Sequence, residues 1–138
     1  MEADEEVVRK DALVKDVLKR VKNREDVEKI GGSILTKLRN TNKKNRTLRG
    51  VFESDPSQFP RYTDIVKKPM YYAKIAQKLK SGQYRQLATL YNDVGQIFTS
   101  AMFFNVEDSV VYIFARDMLA GGLAKKVQAI LEKPFWRS

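Results

Sequence analysis

The sequence contains neither cysteine nor histidine among its 138 residues. Without them the chain can form no disulfide, no Cys/His zinc site and no cysteine nucleophile. It also lacks a Ser-His-Asp triad and an imidazole acid or base. Its carboxylates are scattered over polar faces, and no glycine-rich loop of the kind that holds phosphates is present. The sequence therefore predicts a protein with no catalytic residue, no metal site and no cofactor.

Long apolar runs are missing as well. No segment approaches the ~20 consecutive apolar residues that a membrane-spanning helix requires. The N-terminus, residues 1–6, is acidic, whereas a signal peptide begins with basic residues and continues with apolar ones. We expect a soluble intracellular protein that does not bind a membrane.

Acidic residues are outnumbered, with 17 Asp and Glu against 26 Lys and Arg, a net charge of +9. Such an excess favours encounters with nucleic acid, acidic proteins or anionic lipid. The segment 37–49 holds six basic residues and no acidic one. A charge run is typical of a solvated loop, but it is also compatible with weak contacts to DNA phosphates. The residues for that contact are Lys37, Arg39, Lys43, Lys44, Arg46 and Arg49.

The remaining composition is that of one compact globular domain, with 43% hydrophobic and 31% charged residues. Apolar residues recur at helical spacing in four stretches, and they do not alternate at the period of a strand for long. The pattern therefore predicts an all-α bundle.

The first helical stretch runs from Val14 to Leu38 and is interrupted by Gly31 and Gly32. Each glycine lowers helix propensity by about 1 kcal/mol relative to alanine. The helix either tolerates this pair for close packing or stops there, and the pattern favours a break or bend. The polar residues 40–45 predict a loop.

Three prolines, Pro56, Pro60 and Pro69, interrupt the following segment, residues 41–69. Proline lacks an N–H and restricts the residue before it, so we expect a long irregular connection with one helical turn around residues 62–66. Six apolar residues predict that this connection packs on the bundle: Val51, Phe52, Phe59, Tyr62, Ile65 and Val66.

Three further helical stretches follow the connection. Their apolar faces extend over residues 72–79, 87–104 and 111–130. Asp108 or Ser109 is a suitable N-cap for the last of them. The predicted face of this last helix consists of Val111, Phe114, Ala115, Met118, Leu119, Leu123, Val127 and Ile130.

Four spaced motifs occur between Leu48 and about Leu119: FPRYTDIVKKPM (59–70), I-x3-L-x2-G-x-Y (75–84), D-x3-I-F-x2-A-x2-F-N (93–105) and S-x2-Y (109–112). In these motifs the chain resembles a bromodomain. Their shared order makes the resemblance specific, whereas no single motif would. The resemblance implies a left-handed four-helix bundle with a long loop between its first two helices. We expect this domain at residues 26–133, with a tail at 134–138 and an N-terminal helical extension at 1–25 that packs on the bundle or on a neighbouring module.

Residues 51–53 (Val-Phe-Glu) resemble the polybromo and SWI/SNF-ATPase branch of that family more than the BET branch, whose Trp-Pro-Phe shelf is absent. Four positions depart from the family pattern. Thr63 replaces a tyrosine, and Tyr71 replaces an aspartate that serves the start of the second helix. Ser100 replaces a common asparagine, and Phe104 stands where tyrosine is frequent. These departures bear on ligand preference more than on the fold.

The resemblance implies that the chain binds N-acetylated lysine. Asn105 would donate its amide N–H to the acetyl oxygen, and Tyr62 would reach the same oxygen through a water. Each residue also has a purely structural alternative, since asparagine is common at helix C-caps and tyrosine can pack a loop onto a bundle. The proposed walls of the site are Val51, Phe52, Phe59, Met70, Ala101, Phe104 and Val111, of which Ala101 and Phe104 are equally suited to the core.

We therefore expect a non-catalytic reader of acetylated histone tails or other acetylated proteins, located in the nucleus within a larger chromatin protein or complex. Two alternatives are open. One is a bromodomain-like scaffold whose slot is degenerate and whose partner is a protein, suggested by Thr63, Tyr71 and Ser100. The other is a basic domain that binds DNA without sequence specificity, suggested by the charge of +9.

Overall fold

The computed structural model describes residues 5–133 of the chain. The predicted tail at residues 134–138 lies outside the described residues. Within residues 5–133 the chain is helical and contains no strand. Its helices are α1 (Glu5–Arg20), α2 (Arg24–Lys43), α3 (Tyr62–Ile65), α4 (Tyr72–Lys80), α5 (Leu87–Phe104), α6 (Val110–Asp117) and α7 (Leu123–Leu131).

The helices α2, α4, α5 and the pair α6–α7 pack as a four-helix bundle around one apolar core, which confirms the predicted all-α bundle. Fully burying a leucine, isoleucine, valine or phenylalanine side chain contributes about 1.5–3 kcal/mol, so this core is the main source of the fold's stability. None of the described helices is both long and apolar enough to cross a membrane. The largest side chains with almost no exposure are Leu18, Ile30, Ile34, Leu38, Tyr72, Ile75, Leu87, Leu90, Val94, Phe98 and Val127.

Helix α2 runs without a break through Gly31 and Gly32, so the predicted break is wrong. A Cβ at Gly31 would lie 2.9 Å from Leu90 Cδ1 and 3.1 Å from Leu79 Cδ1. The absence of a side chain therefore lets α2 approach α4 and α5 closely. The packing gained by this approach offsets the low helix propensity of glycine.

The chain instead breaks just before α2, where Asn23 caps the helix. Its Oδ1 accepts the backbone N–H groups of Glu25 at 2.9 Å and Asp26 at 3.3 Å. Helix α1 packs against α5 and α7 and buries Val14 and Leu18 in the same core. The N-terminal helical segment is thus attached to the bundle.

The polar segment 40–45 is helical as far as Lys43, so the loop predicted there is mostly wrong. The reason is tertiary: Asn42 is buried, and its Oδ1 accepts the hydroxyl of Tyr72 from α4 at 2.7 Å. A residue type that usually favours turns is held in the last turn of α2 by this contact.

The long connection from α2 to α4 packs on the bundle through some, but not all, of its apolar residues. Phe52, Tyr62 and Val66 are buried, whereas Phe59 and Ile65 are about half exposed, at 50% and 51%. The Phe52 ring packs against three rings of the bundle, with centroid distances of 5.4 Å to Phe98, 5.8 Å to Phe114 and 6.1 Å to Tyr72. The one α-helical turn expected near residues 62–66 is α3.

The last predicted helix consists of α6 and α7 joined by a π-helical turn, Met118–Gly122. Ser109 is its N-cap, and its Oγ accepts the N–H of Tyr112 at 3.1 Å. Gly121 adopts a φ of 129° in this turn, a conformation that favours glycine. The turn changes the helical phase. Leu119, which was predicted on the apolar face, is therefore 39% exposed.

Candidate functional site

A slot of about 240 Å³ opens at the end of the bundle, where the connection between α2 and α4 meets the C-terminal end of α5 and the start of α6. The structure brings all nine predicted site residues to this slot. These are Val51, Phe52, Phe59, Tyr62, Met70, Ala101, Phe104, Asn105 and Val111. Four further residues line the slot and were not predicted from the sequence: Ser54, Pro56, Tyr71 and Ile97.

Asn105 is the first residue after α5, with extended backbone angles. Its backbone N–H donates to the Ala101 carbonyl at 3.0 Å, and its side-chain Nδ2 donates to the same oxygen at 2.8 Å. An amide nitrogen carries two protons, so the second proton of Nδ2 is not used by this bond. The helix end thus orients the half-buried amide in the wall of the slot. Asn105 therefore both ends α5 and lines the slot.

Tyr62 is only 5% exposed, and its ring meets the Phe104 ring edge-to-face with a centroid distance of 4.8 Å. Burial raises the pKa of the Tyr62 hydroxyl and the Asp55 carboxylate raises it further, while a hydrogen bond with Ser100 acts in the opposite direction. The hydroxyl therefore stays protonated at neutral pH and is available as a donor. Ser100, one of the departures from the family pattern, is buried against this tyrosine.

Aromatic rings form one side of the slot, and small side chains form another. Phe59 lies at the exposed rim, with its ring centroid 6.4 Å from that of Phe104. Ala101 and Val111, by contrast, are short side chains and leave the slot open. The slot is thus a narrow apolar space with a few polar atoms in its wall.

Tyr71 lines the slot, although the sequence analysis considered this position only as a helix cap. It occupies the N-cap position of α4 and makes no side-chain capping bond. The connection caps the helix instead: the Tyr72 N–H donates to the Phe52 carbonyl at 2.8 Å, and the Ala73 N–H donates to the Glu53 carbonyl at 3.1 Å. The side chain of Tyr71 is therefore free to form part of the wall. The sequence signal for this role was its position directly after Met70, a predicted wall residue of the slot.

None of the residues that line the slot is charged at neutral pH. A buried ammonium group would find no carboxylate there to offset its desolvation, whereas a neutral group with a hydrogen-bond acceptor would find the Asn105 amide. Among the described residues, the lining of the slot includes no carboxylate. Elsewhere among residues 5–133, no group of three carboxylates is placed to hold a metal ion.

The family model named Bromodomain matches residues 34–117, more than half of the chain. The chain therefore belongs to the bromodomain family. The matched region covers the connection and the slot, but it begins after α1 and after the first turns of α2.

Individual relatives are similar over parts of the chain. The chain is 34% identical over 64 residues to the chromatin structure-remodeling complex subunit rsc4 of Schizosaccharomyces pombe, which is 45% of this chain and 12% of that protein. It is 28% identical over 89 residues to bromodomain-containing protein 7 of Gallus gallus, which is 57% of this chain and 14% of that protein. The chain thus spans a small part of these relatives, and the first of them is compatible with the predicted branch.

Solved bromodomain structures share the fold. A hypothetical bromodomain of Trypanosoma brucei, solved in complex with bromosporine, superposes with a TM-score of 0.62 at 22% identity. The superposition covers 72% of this chain and 86% of that one. At this level of identity the similarity establishes the four-helix bundle and nothing finer.

Proposed function

We propose that this chain is an acetyl-lysine reader that binds acetylated histone tails within chromatin. The observation that carries the proposal is an uncharged slot with one oriented amide, Asn105, in its wall. The chromatin-remodelling subunit among the relatives supports a chromatin setting and a nuclear location. The role is binding rather than catalysis, in keeping with the family.

Acetylation changes the lysine side chain in the way that this slot distinguishes. It removes the ammonium charge and leaves a neutral amide on a four-carbon stem. A neutral amide costs a few kcal/mol at most to bury if its oxygen finds a donor, whereas an unpaired ammonium costs far more. Selectivity for the acetylated form then arises mainly as a penalty against the unmodified one.

In the proposed complex Asn105 donates its second Nδ2 proton to the acetyl oxygen. The Tyr62 hydroxyl reaches the same oxygen through a water, and such bridged contacts hold nearly as well as direct ones. The apolar walls cover the aliphatic stem. One small anchor of this kind gives weak affinity, micromolar to millimolar, or about −8 to −4 kcal/mol. Tight association with chromatin would then require further binding modules in the same protein or complex.

The test is an array of acetylated histone-tail peptides with their unmodified counterparts, followed by calorimetric titration of the best binder. We expect binding only to acetylated peptides. Asn105→Ala should leave the acetyl oxygen without a donor and lower affinity by about 1–3 kcal/mol, a factor of about 5–150. Asn92→Ala is the matched control, because Asn92 is an exposed asparagine of α5, the helix that Asn105 follows, and it does not line the slot. Equal binding of both peptide forms, or full affinity in Asn105→Ala, would refute the reader.

The scaffold alternative predicts a slot that no longer accepts a ligand. The open volume of about 240 Å³ supports the reader over this alternative, because no side chain of the described residues fills the space. A peptide array without any acetyl-dependent signal, together with a stable complex between the chain and an unmodified protein, would favour the scaffold.

A further inference from the structure

A second hollow, of about 270 Å³, lies at the C-terminal end of α2. It shares Phe52 with the slot and none of the slot's other lining residues. Its wall includes Asn42 and Tyr72, which form the buried hydrogen bond between α2 and α4. It also includes the cations Arg39, Lys43 and Arg49, and we call it the cationic hollow.

Asn42 has a donor that nothing in the described structure satisfies. The side chain is only 4% exposed, and its Oδ1 accepts the Tyr72 hydroxyl at 2.7 Å. Its Nδ2 is buried and has no hydrogen-bond partner. Buried polar groups in folded proteins are nearly always paired, so the unpaired Nδ2 of a residue in the wall of a hollow is a candidate donor to a bound ligand.

The charge around this amide indicates which kind of acceptor fits. The only carboxylate in the wall, Glu53, is already held by Arg39 through two hydrogen bonds of 2.8 Å each. That pair leaves Lys43 and Arg49 as the uncompensated cations, since neither forms an ion pair with any residue between 5 and 133. Both are exposed. The Arg49 Nε donates to the Lys43 carbonyl at 3.4 Å, which leaves the other N–H groups of its guanidinium for a ligand.

A shallower hollow adjoins this one and extends its positive charge. It is lined by Asn40, Lys43, Lys44 and Arg49 and contains no carboxylate. Two of its cations, Lys43 and Arg49, are also in the wall of the cationic hollow. An anion that reaches the buried amide would therefore lie among cations on the outer side as well.

We propose that the cationic hollow binds a phosphate group, with the Asn42 amide donating to one oxygen and with Lys43 and Arg49 supplying the charge. Charge-assisted hydrogen bonds to a phosphate are stronger than those between neutral groups. The group comes from a nucleic-acid backbone or from free phosphate, which share this chemistry. The site does not depend on acetyl-lysine binding. The proposal also assigns the DNA contact predicted for segment 37–49 to fewer of its basic residues, because Lys37 and Arg46 line neither hollow.

The first test is nuclear magnetic resonance on the nitrogen-15-labelled 138-residue chain. Inorganic phosphate is added at constant ionic strength, and a short duplex DNA is added in a parallel titration. We expect a saturable shift of the Asn42 side-chain amide resonances with phosphate. A matching shift with DNA assigns the site to a backbone phosphate, and a shift with inorganic phosphate alone assigns it to a small anion. Asn42 resonances that do not move with either ligand overturn the proposal.

The second test compares two double variants of equal charge. Lys43→Gln with Arg49→Gln removes the cations of the hollow and should weaken binding by about tenfold or more. Lys37→Gln with Arg46→Gln removes the same charge from the same run outside the hollow and should weaken binding by less than about twofold. Equal losses in the two double variants would mean diffuse attraction and overturn the site.

The third test addresses the amide itself. Asn42→Asp keeps an acceptor for the Tyr72 hydroxyl but replaces the donor with a negatively charged oxygen. We expect phosphate affinity to fall by about tenfold or more, because the carboxylate repels the anion. Thermal unfolding verifies that the variant folds, and the Lys43/Arg49 variant decides the question if it does not. Unchanged affinity in folded Asn42→Asp overturns the role of the amide.

Discussion

The slot and the cationic hollow share the Phe52 ring but place an asparagine amide in opposite surroundings. In the slot, Asn105 follows the end of α5, its Nδ2 is held by a backbone carbonyl, and the other lining residues among those described are uncharged. In the hollow, Asn42 lies in the last turn of α2, and its Nδ2 has no partner among the described residues. Three cations and one carboxylate share the wall with it. On the two proposals made above, the same donor would bind a neutral amide at one site and an anion at the other. The surroundings, rather than the residue type, would then select the ligand.

The largest effect is expected from the residue that the two regions share. Phe52→Ala should lower the free energy of unfolding by about 3–5 kcal/mol, because it leaves a cavity among the rings of Phe98, Phe114 and Tyr72. Binding at both sites should weaken together. Phe59→Ala is the matched control in the same connection, since Phe59 is 50% exposed, and it should cost less than about 1 kcal/mol. Denaturant unfolding measures both, and equal costs would contradict the packing described for Phe52.

The next effect concerns the close contact between Gly31 of α2 and Leu90 of α5. This contact joins the helix that carries Asn42 to the helix that Asn105 follows. Gly31→Ala places a Cβ 2.9 Å from Leu90 Cδ1 and should destabilise the chain by about 1–3 kcal/mol. Gly32→Ala meets no atom within 4 Å and should stabilise α2 by up to about 1 kcal/mol through helix propensity. Thermal unfolding of the two variants should move in opposite directions. A loss of stability in both would mean that α2 bends at this pair in solution.

The smallest expected effect is a loss of stability at alkaline pH, to which Tyr72 in the wall of the cationic hollow contributes. Burial raises the pKa of the Tyr72 hydroxyl, Glu53 raises it further, and Arg39 opposes them. The unfolded chain therefore loses this proton first, near pH about 10. The contribution of the Tyr72 proton to the free energy of unfolding is complete below that pH. It is lost as the pH rises through the folded-state pKa. Tyr84 and Tyr91 have raised pKa values as well, so they share the decline.

The measurement is the free energy of unfolding at about pH 8 and about pH 11. We expect it to fall for the parent chain and to fall less for Tyr72→Phe. This variant also leaves the Asn42 Oδ1 without its donor, which costs about 1–3 kcal/mol at neutral pH. The comparison therefore uses the difference between the two pH values rather than the stability at either one. An identical decline in both proteins would contradict the raised pKa of Tyr72.

Local patterns predicted the elements well where one residue type decides the local geometry. Ser109 begins α6 as a capping serine should, and the prolines keep most of residues 41–69 out of regular helices. Local patterns failed where a distant partner decides. Gly31 is helical because Leu79 and Leu90 lie against it, and residues 40–43 are helical because Tyr72 holds Asn42.

The prediction of the site residues succeeded and failed for the same reasons. The family motifs identified nine residues that line the slot, because a family pattern summarises which distant positions meet. Tyr71 was missed because the pattern assigns its position to capping, a task that the carbonyls of Phe52 and Glu53 perform here. No motif indicated the cationic hollow. Its orphaned amide depends on α2 continuing past residue 40, which local propensity opposes.

By itself, the sequence determined that the protein is helical, basic, free of cysteine and histidine chemistry, and built on the bromodomain pattern. These properties follow from residue types and from spacing along the chain. Only the tertiary structure decided which donors are satisfied and which charges cancel. Whether Nδ2 of an asparagine has a partner, or whether Arg39 neutralises Glu53, depends on distances between residues far apart in sequence. Such distances are set by how the whole core packs.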